Sequence, residues 1–224
     1  MSNKYKILIW IVFLALLAGC VNAVAIFGCE GIAVSHITGM ISRSATSISS
    51  GETVGLAGIL SIILLFFVGA VTAGIATGER AFHLRKTNGV IIFAIGILIL
   101  TPLFLDVRHS LMMLSFLMGL QNGMVVSVRG ILVRSTHMTG NLTDLGVYIG
   151  YRIRGNKSEN AYFGLVPGVL IIGFIMGGII GVLLYNLIGI YVLIVLSVSY
   201  ILMGIAYFHM RKTNEQVLQS LPEV

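Results

Sequence analysis

Six apolar runs dominate the chain, at about residues 7–28, 54–77, 89–105, 111–128, 163–184 and 187–208. Each approaches the ~20 residues that a helix needs to cross the hydrocarbon core of a bilayer. Only 10% of the residues are charged and the mean hydropathy is +1.02, whereas roughly a quarter of a soluble domain is charged. A water-soluble fold would have almost no polar surface left over. The runs predict an all-α, polytopic membrane helical bundle of about six spans, with the lipid bilayer as its main partner.

The formal charge of +6 is spread in short blocks between the runs, without an extended basic and aromatic surface, so no nucleic acid is expected. With six spans and a cytoplasmic N-terminus, one side collects every Lys and Arg except Arg43 and Arg108. That bias is the positive-inside pattern and places both termini in the cytoplasm, the chain lying in the cell inner membrane. Eight full crossings would put the basic "GERAFHLRK" loop outside, so six is the better count. The third run is short, with Pro102 near its end.

Cys20 and Cys29 have no zinc-site spacing, and a bridge within one helix is not expected. "LAGC" at 17–20 also fits a lipoprotein cleavage box after a signal-like start. Apolar sequence continues past Cys20 to Phe27, which favours a span instead.

Two polar stretches interrupt this pattern, "SHITGMISRSATSISSG" after the first run and "STHMTGNLTDLG" after the fourth. They align. Gly19 and Asn22 fall on Gly119 and Asn122, and His36, Thr38 and Gly39 fall on His137, Thr139 and Gly140. Further on, Ala70, Gly74 and Gly78 fall on Gly173, Gly177 and Gly181. Repeats of this kind set the architecture. Each half holds three spans, so the second copy enters from the opposite side. The expected organisation is a first repeat at 1–105, a second at 106–212 and a short cytoplasmic tail at 213–224. The two polar segments are partly inserted or interrupted helices, one from each side.

His137, Asn141, Asp144 and Tyr148 recur at helical spacing, as do His36, Met40, Arg43 and Ser47 in the first copy. Thr38–Gly39 and Thr139–Gly140 are suited to breaking or starting a helix, whose N-terminus favours an anion. Ionisable groups within a membrane pair or line a path, and pseudo-symmetry sets Arg43 against Asp144. The other reading is that both lie solvated at the interface. The residues expected to bind substrate or line a pathway are His137, Thr139, Asn141, Asp144, His36, Thr38, Arg43, Asn122, Gln121 and Asn22.

Gly173, Gly177 and Gly181 share one helix face, as do Gly119 and Gly123. Such faces admit a close neighbour, either within the bundle or at a dimer seam, and beside the second face Gln121 and Asn122 are available for interhelical hydrogen bonds. His83, His109, His209, Glu30 and Glu52 are expected to face water. No nucleotide-binding, metalloprotease or nucleophile-elbow motif occurs. No cofactor, no metal and no enzymatic activity are expected.

"SHITG", "GLQNG" and above all "THMTGNLTDLG" resemble the YoaK-like family of bacterial multi-pass membrane proteins of unknown function. The resemblance covers nearly the whole chain. It implies an integral membrane protein of the bacterial envelope and carries no established activity. Members tend to have an acidic residue where this chain has Asn22, and Thr-Gly-Asn where it has Thr38, Gly39 and Met40. A coupling mechanism that needs an acid in the first span is thereby put in doubt.

Inverted repeats with interrupted helices near the bilayer midplane are a recurring plan of secondary transporters. The leading expectation is therefore a transporter or permease for a small polar solute, with a homodimer as one way to complete the pathway. A scaffold, sensor or accessory subunit is the alternative, and an intramembrane enzyme using His137 and Asp144 is a third.

Overall fold

The computed structural model describes residues 3–29, 31–51, 54–78, 85–124, 126–128, 131–156 and 158–219. The first apolar run forms helix α1 (Asn3–Gly28), which lies innermost, with Ile11, Leu14, Ala15, Ala18 and Val21 buried. The chain turns back into a short helix, α2 (Ile37–Ser50), closed by Gly51 at φ 72°, a left-handed conformation that only glycine adopts freely. Helix α3 (Leu56–Thr77) follows.

Helix α4 (Lys86–Leu98) stops just ahead of Pro102, which has no N–H to continue the ladder, and a 3-10 turn spans Thr101–Phe104. Helix α5 (Val107–Gly123) is capped by Asp106, whose side chain accepts from the His109 N–H at 3.1 Å. That bond, and the His109 ring at 2.6 Å, hold the Asp106 carboxyl below its usual range. His109 is therefore exposed but partnered, rather than simply solvated.

The fourth run was expected to stay helical to about 128. Instead strand β1 (Val126–Val128) pairs antiparallel with β2 (Ile131–Val133), Val126 opposite Val133. Helices α6 (Met138–Ile153), α7 (Tyr162–Ile188) and α8 (Val192–Gln219) complete the chain, with Pro167 absorbed near the start of α7.

Three close helix pairs build the bundle: α1 with α7, α3 with α5, and α4 with α8. In the first, Gly173, Gly177 and Gly181 lie against Val12, Leu16 and Cys20, so the two helices run parallel. A Cβ on Gly177 would overlap the Leu16 carbonyl. The second pair is parallel too. Gly119 lies on the Phe66 carbonyl, Gly69 on the Phe116 carbonyl, and the Ser115 hydroxyl donates to the Ile62 carbonyl at 2.9 Å. In the third pair Gly89 meets Tyr207 and Phe208 while Gly96 meets Ile201, which is antiparallel. Both glycine faces seen in the sequence are thus used inside the bundle. Gly69 meets the Phe116 carbonyl as Gly177 meets the Leu16 carbonyl, whereas Gly74, which the sequence alignment sets on Gly177, faces open space.

The ends of the bundle differ. At one end Gly28 packs on Tyr185, and Ile32, just beyond α1, shares a crevice with the α2–α3 turn and the start of α5. At the other, the Trp10 and Tyr207 rings lie 4.9 Å apart, Tyr207 donates to the Arg85 carbonyl at 2.8 Å, and Arg85 Nη1 donates to the Thr77 carbonyl. Arg85, Lys86, Arg152, Arg211 and Lys212 belong to this second end, whereas Arg43 and Arg108 belong to the first.

Four stretches are long and apolar enough to cross a membrane: Leu8–Gly28, Leu56–Thr77, Lys86–Phe104 and Tyr162–Lys212. The last, of 51 residues, contains both α7 and α8. Large apolar side chains such as Leu64, Phe67, Ile75, Ile172 and Leu187 point outward from them. An apolar exterior of that extent requires lipid or a partner around it.

Candidate functional site

The two polar segments begin their helices in the same way. His36 precedes α2 at φ −92° and ψ 58°, and His137 precedes α6 at φ −85° and ψ 58°. The His36 N–H reaches the Ala33 carbonyl at 3.2 Å, and the His137 N–H reaches the Arg134 carbonyl at 3.3 Å. Neither side chain caps its helix. Each imidazole instead lies over the glycine three residues on. A Cβ on Gly39 would overlap Cδ2 and Nε2 of His36, and one on Gly140 would overlap the same atoms of His137. The helices start at the Thr-Gly pattern, as its residues suggest, and the glycine has the added role of a seat for the ring.

The two histidines converge. They line one cavity of about 340 Å³, whose wall also holds both Asn22 and Asn122, both Ser35 and Thr136, both Thr38 and Thr139, and both Phe66 and Phe174. That volume is at the small end of known ligand sites, ~300–1,000 Å³. Among the described residues no Lys, Arg, Asp or Glu lines it. Its polarity comes from imidazole, amide and hydroxyl groups and from the N-termini of α2 and α6. Both helix ends present partial positive charge, so the cavity suits a neutral polar or anionic guest.

The two asparagines are held differently. Asn22 Oδ1 accepts from the Ser35 N–H at 3.2 Å and from the Ser35 hydroxyl at 3.0 Å. Asn122 Oδ1 is buried and has no hydrogen-bond partner among the described residues. A buried acceptor left open in this way calls for water or a ligand.

Six of the expected site residues therefore meet: Asn22, His36, Thr38, Asn122, His137 and Thr139. The other four do not line the cavity. Gln121 is buried in the core, its amide donating to the Leu14 carbonyl at 3.1 Å and to the Ser135 hydroxyl at 2.8 Å. Asn141 is buried one turn beyond His137, its Nδ2 unpartnered among the described residues. Asp144 is exposed. Arg43 is exposed and lines two neighbouring crevices. No ion pair joins Arg43 to Asp144 among the described residues.

Tyr148, the last residue of the stripe, packs on Gly164 of α7 and carries the Arg152 guanidinium 5.0 Å from its ring centre. That end of the stripe anchors α6. Phe66 and Phe174 were missed because a phenylalanine within an apolar run reads only as span. Their signal was a shared position, each standing three residues before a glycine, Gly69 or Gly177, on which the partner helix rests. Glu30, Glu52 and His83 lie outside the described residues.

Residues 10–206 match the model of the family described as protein of unknown function, DUF1275. No curated protein and no solved structure matches the chain.

Proposed function

The chain belongs to the DUF1275 family and is an integral membrane protein, and on that premise we propose that it is a secondary transporter or permease for a small polar solute. The observation that carries this reading is the cavity shared by His36 and His137. It is polar, small, and set among helices whose outer faces are apolar.

The arrangement proposed around it is six crossings in two inverted halves, α1, α3 and α4 followed by α5, α7 and α8. The packing supports this reading. Exchanging the two halves turns the α1–α7 pair into the α5–α3 pair and returns the α4–α8 pair to itself. The polar helices α2 and α6 then approach the cavity from opposite sides. Alternating access by rocking around a fixed central site is the motion such repeats allow. The basic end of the bundle is assigned to the cytoplasm of a bacterial inner membrane by the positive-inside rule, in keeping with the YoaK-like resemblance. α5 has 17 residues, about 25 Å of rise, and its crossing is completed by the turns that flank it.

In this reading His36, His137, Thr38, Thr139, Asn22 and Asn122 contact the solute. Gln121 positions α5, while Asn141 supports the start of α6. The test is solute flux into proteoliposomes that hold purified protein, run against a panel of small anions, polyols and amino acids. Uptake above that of protein-free vesicles, lost in His36→Ala and His137→Ala, is the expected result. Folded protein that moves no member of the panel would leave a scaffold or accessory role instead.

A further inference from the structure

The two arginines that stand apart from the basic end of the bundle line the same crevice. Arg43 from α2 and Arg108 from the first turn of α5 face a space of about 450 Å³, with Gly55, Ala57 and Gly58 at the N-terminus of α3 as a third wall. Neither guanidinium is ion-paired among the described residues. Asp106, the carboxylate next to Arg108 in the chain, is already taken by His109 at 2.6 Å. Two like charges on one crevice repel unless an anion lies between them. Such an end of a membrane protein is usually poor in Arg and Lys, so placing both there needs a reason.

The crevice also leads somewhere. A second hollow of about 230 Å³ shares Ile32, Arg43 and Ile59 with it, and shares Ala33 and His36 with the two-histidine cavity. Arg108, Arg43, His36 and His137 thus follow one another along three adjoining spaces. We propose that the Arg43–Arg108 crevice is a vestibule that binds a small soluble oxyanion and passes it to the two-histidine cavity. Guanidinium groups favour planar or tetrahedral oxyanions, which accept two parallel N–H bonds. The open first turn of α3 supplies further N–H donors to the same space. This inference rests on the permease reading of the cavity and narrows its substrate to an anion.

Equilibrium binding tests it without any need for flux. Full-length protein in a neutral maltoside detergent is titrated with radiolabelled phosphate, sulfate and acetate. Saturable binding of at least one is expected, weakened about tenfold or more in R43Q and in R108Q, with R43K and R108K keeping more affinity than the glutamine variants. If a glutamine variant does not fold, R43C replaces it. With Arg108 intact, its thiol should react faster with an anionic thiosulfonate than with a cationic one, relative to a free thiol. Equal rates would count against the vestibule. No saturable binding of any of the three anions, or wild-type binding in both R43Q and R108Q, overturns the proposal. So does an anionic lipid seen by native mass spectrometry on wild type and lost in the variants, with no soluble anion bound. Anion binding without flux would remove the permease and keep the vestibule. Flux of a neutral solute without anion binding would do the reverse.

Discussion

The Tyr200 hydroxyl donates to Gln121 Oε1 at 2.6 Å, across 79 positions of chain, and both residues are fully buried. Through that one amide α8 is tied to α5, while the amide nitrogen reaches α1 at Leu14 and the β2–α6 turn at Ser135. Four segments meet at a side chain that the sequence offers for interhelical hydrogen bonds, beside Gly119 and Gly123. The group is satisfied on both sides, as a polar residue within a bundle must be.

Removing one partner should therefore cost more than removing the pair. Tyr200→Phe is expected to lower stability by about 1 kcal/mol, and Gln121→Leu by about 1–3 kcal/mol because it orphans both Tyr200 and Ser135. Thermal melts in detergent of the two single variants and the double variant measure the coupling. Strict additivity would show that the bond contributes little.

The glycine contacts make a sharper contrast. Gly119→Ala and Gly177→Ala each push a methyl group into a carbonyl of the facing helix, and overpacking of this kind costs about 1–3 kcal/mol. Gly74→Ala meets open space and should be neutral or stabilising, by up to about 1 kcal/mol. Ranking the melting temperatures of the three variants decides between this register and the one read from the sequence, which would make Gly74→Ala as harmful as Gly177→Ala.

Accessibility separates the cavity from the rest of the stripe. In a Cys20→Ala, Cys29→Ala background, cysteines at 36, 38, 137 and 139 should react with small water-soluble thiol reagents, more slowly in the presence of a transported solute. A cysteine at 141 should react slowly throughout, and one at 144 quickly with no solute effect, since Asp144 is exposed outside the cavity. Solute protection at 144 with none at 137 would move the site away from the histidines.

Topology follows from the helix directions. Reporter fusions after residues 48, 83, 108, 156 and 224 should read out, in, out, in and in. An external signal at 83 would mean an odd number of crossings before it and would break the six-span arrangement.

How much of this was written in the chain depends on range. The long helices were legible because twenty apolar residues in lipid have one satisfactory backbone conformation. The His-x-Thr-Gly pair was legible because it occurs twice, and its two copies proved to share a cavity. The stripe was only half right. Helical spacing placed His137 and Asp144 on one face, but a face is wider than a cavity, and only the histidine at its head reaches the space. The strand pair at Val126–Val133 was hidden because β-branched residues at the foot of an apolar run read as more helix. Gln121 was assigned to the pathway because adjacent polar residues look alike in sequence, although successive helix positions point about 100° apart. The glycine register failed because glycine-rich spans align with themselves at several offsets.

The pairing of α1 with α7 has a consequence for how the protein is made. A ribosome adding about 5–20 residues per second releases α1 long before the helix that covers its glycine-contacting face exists. Likewise α3 waits for α5. Neither half can close on itself during synthesis, since each keeps its first helix for the other's third. The early helices must wait in the bilayer with polar groups still unmatched, such as the Trp10 indole N–H, which donates to the Met203 carbonyl of α8 at 3.4 Å. That makes them candidates for an insertase or chaperone that holds them until the last third of the chain arrives. Expressed as two separate fragments, the halves should be recovered as one complex or degraded, and neither should accumulate alone.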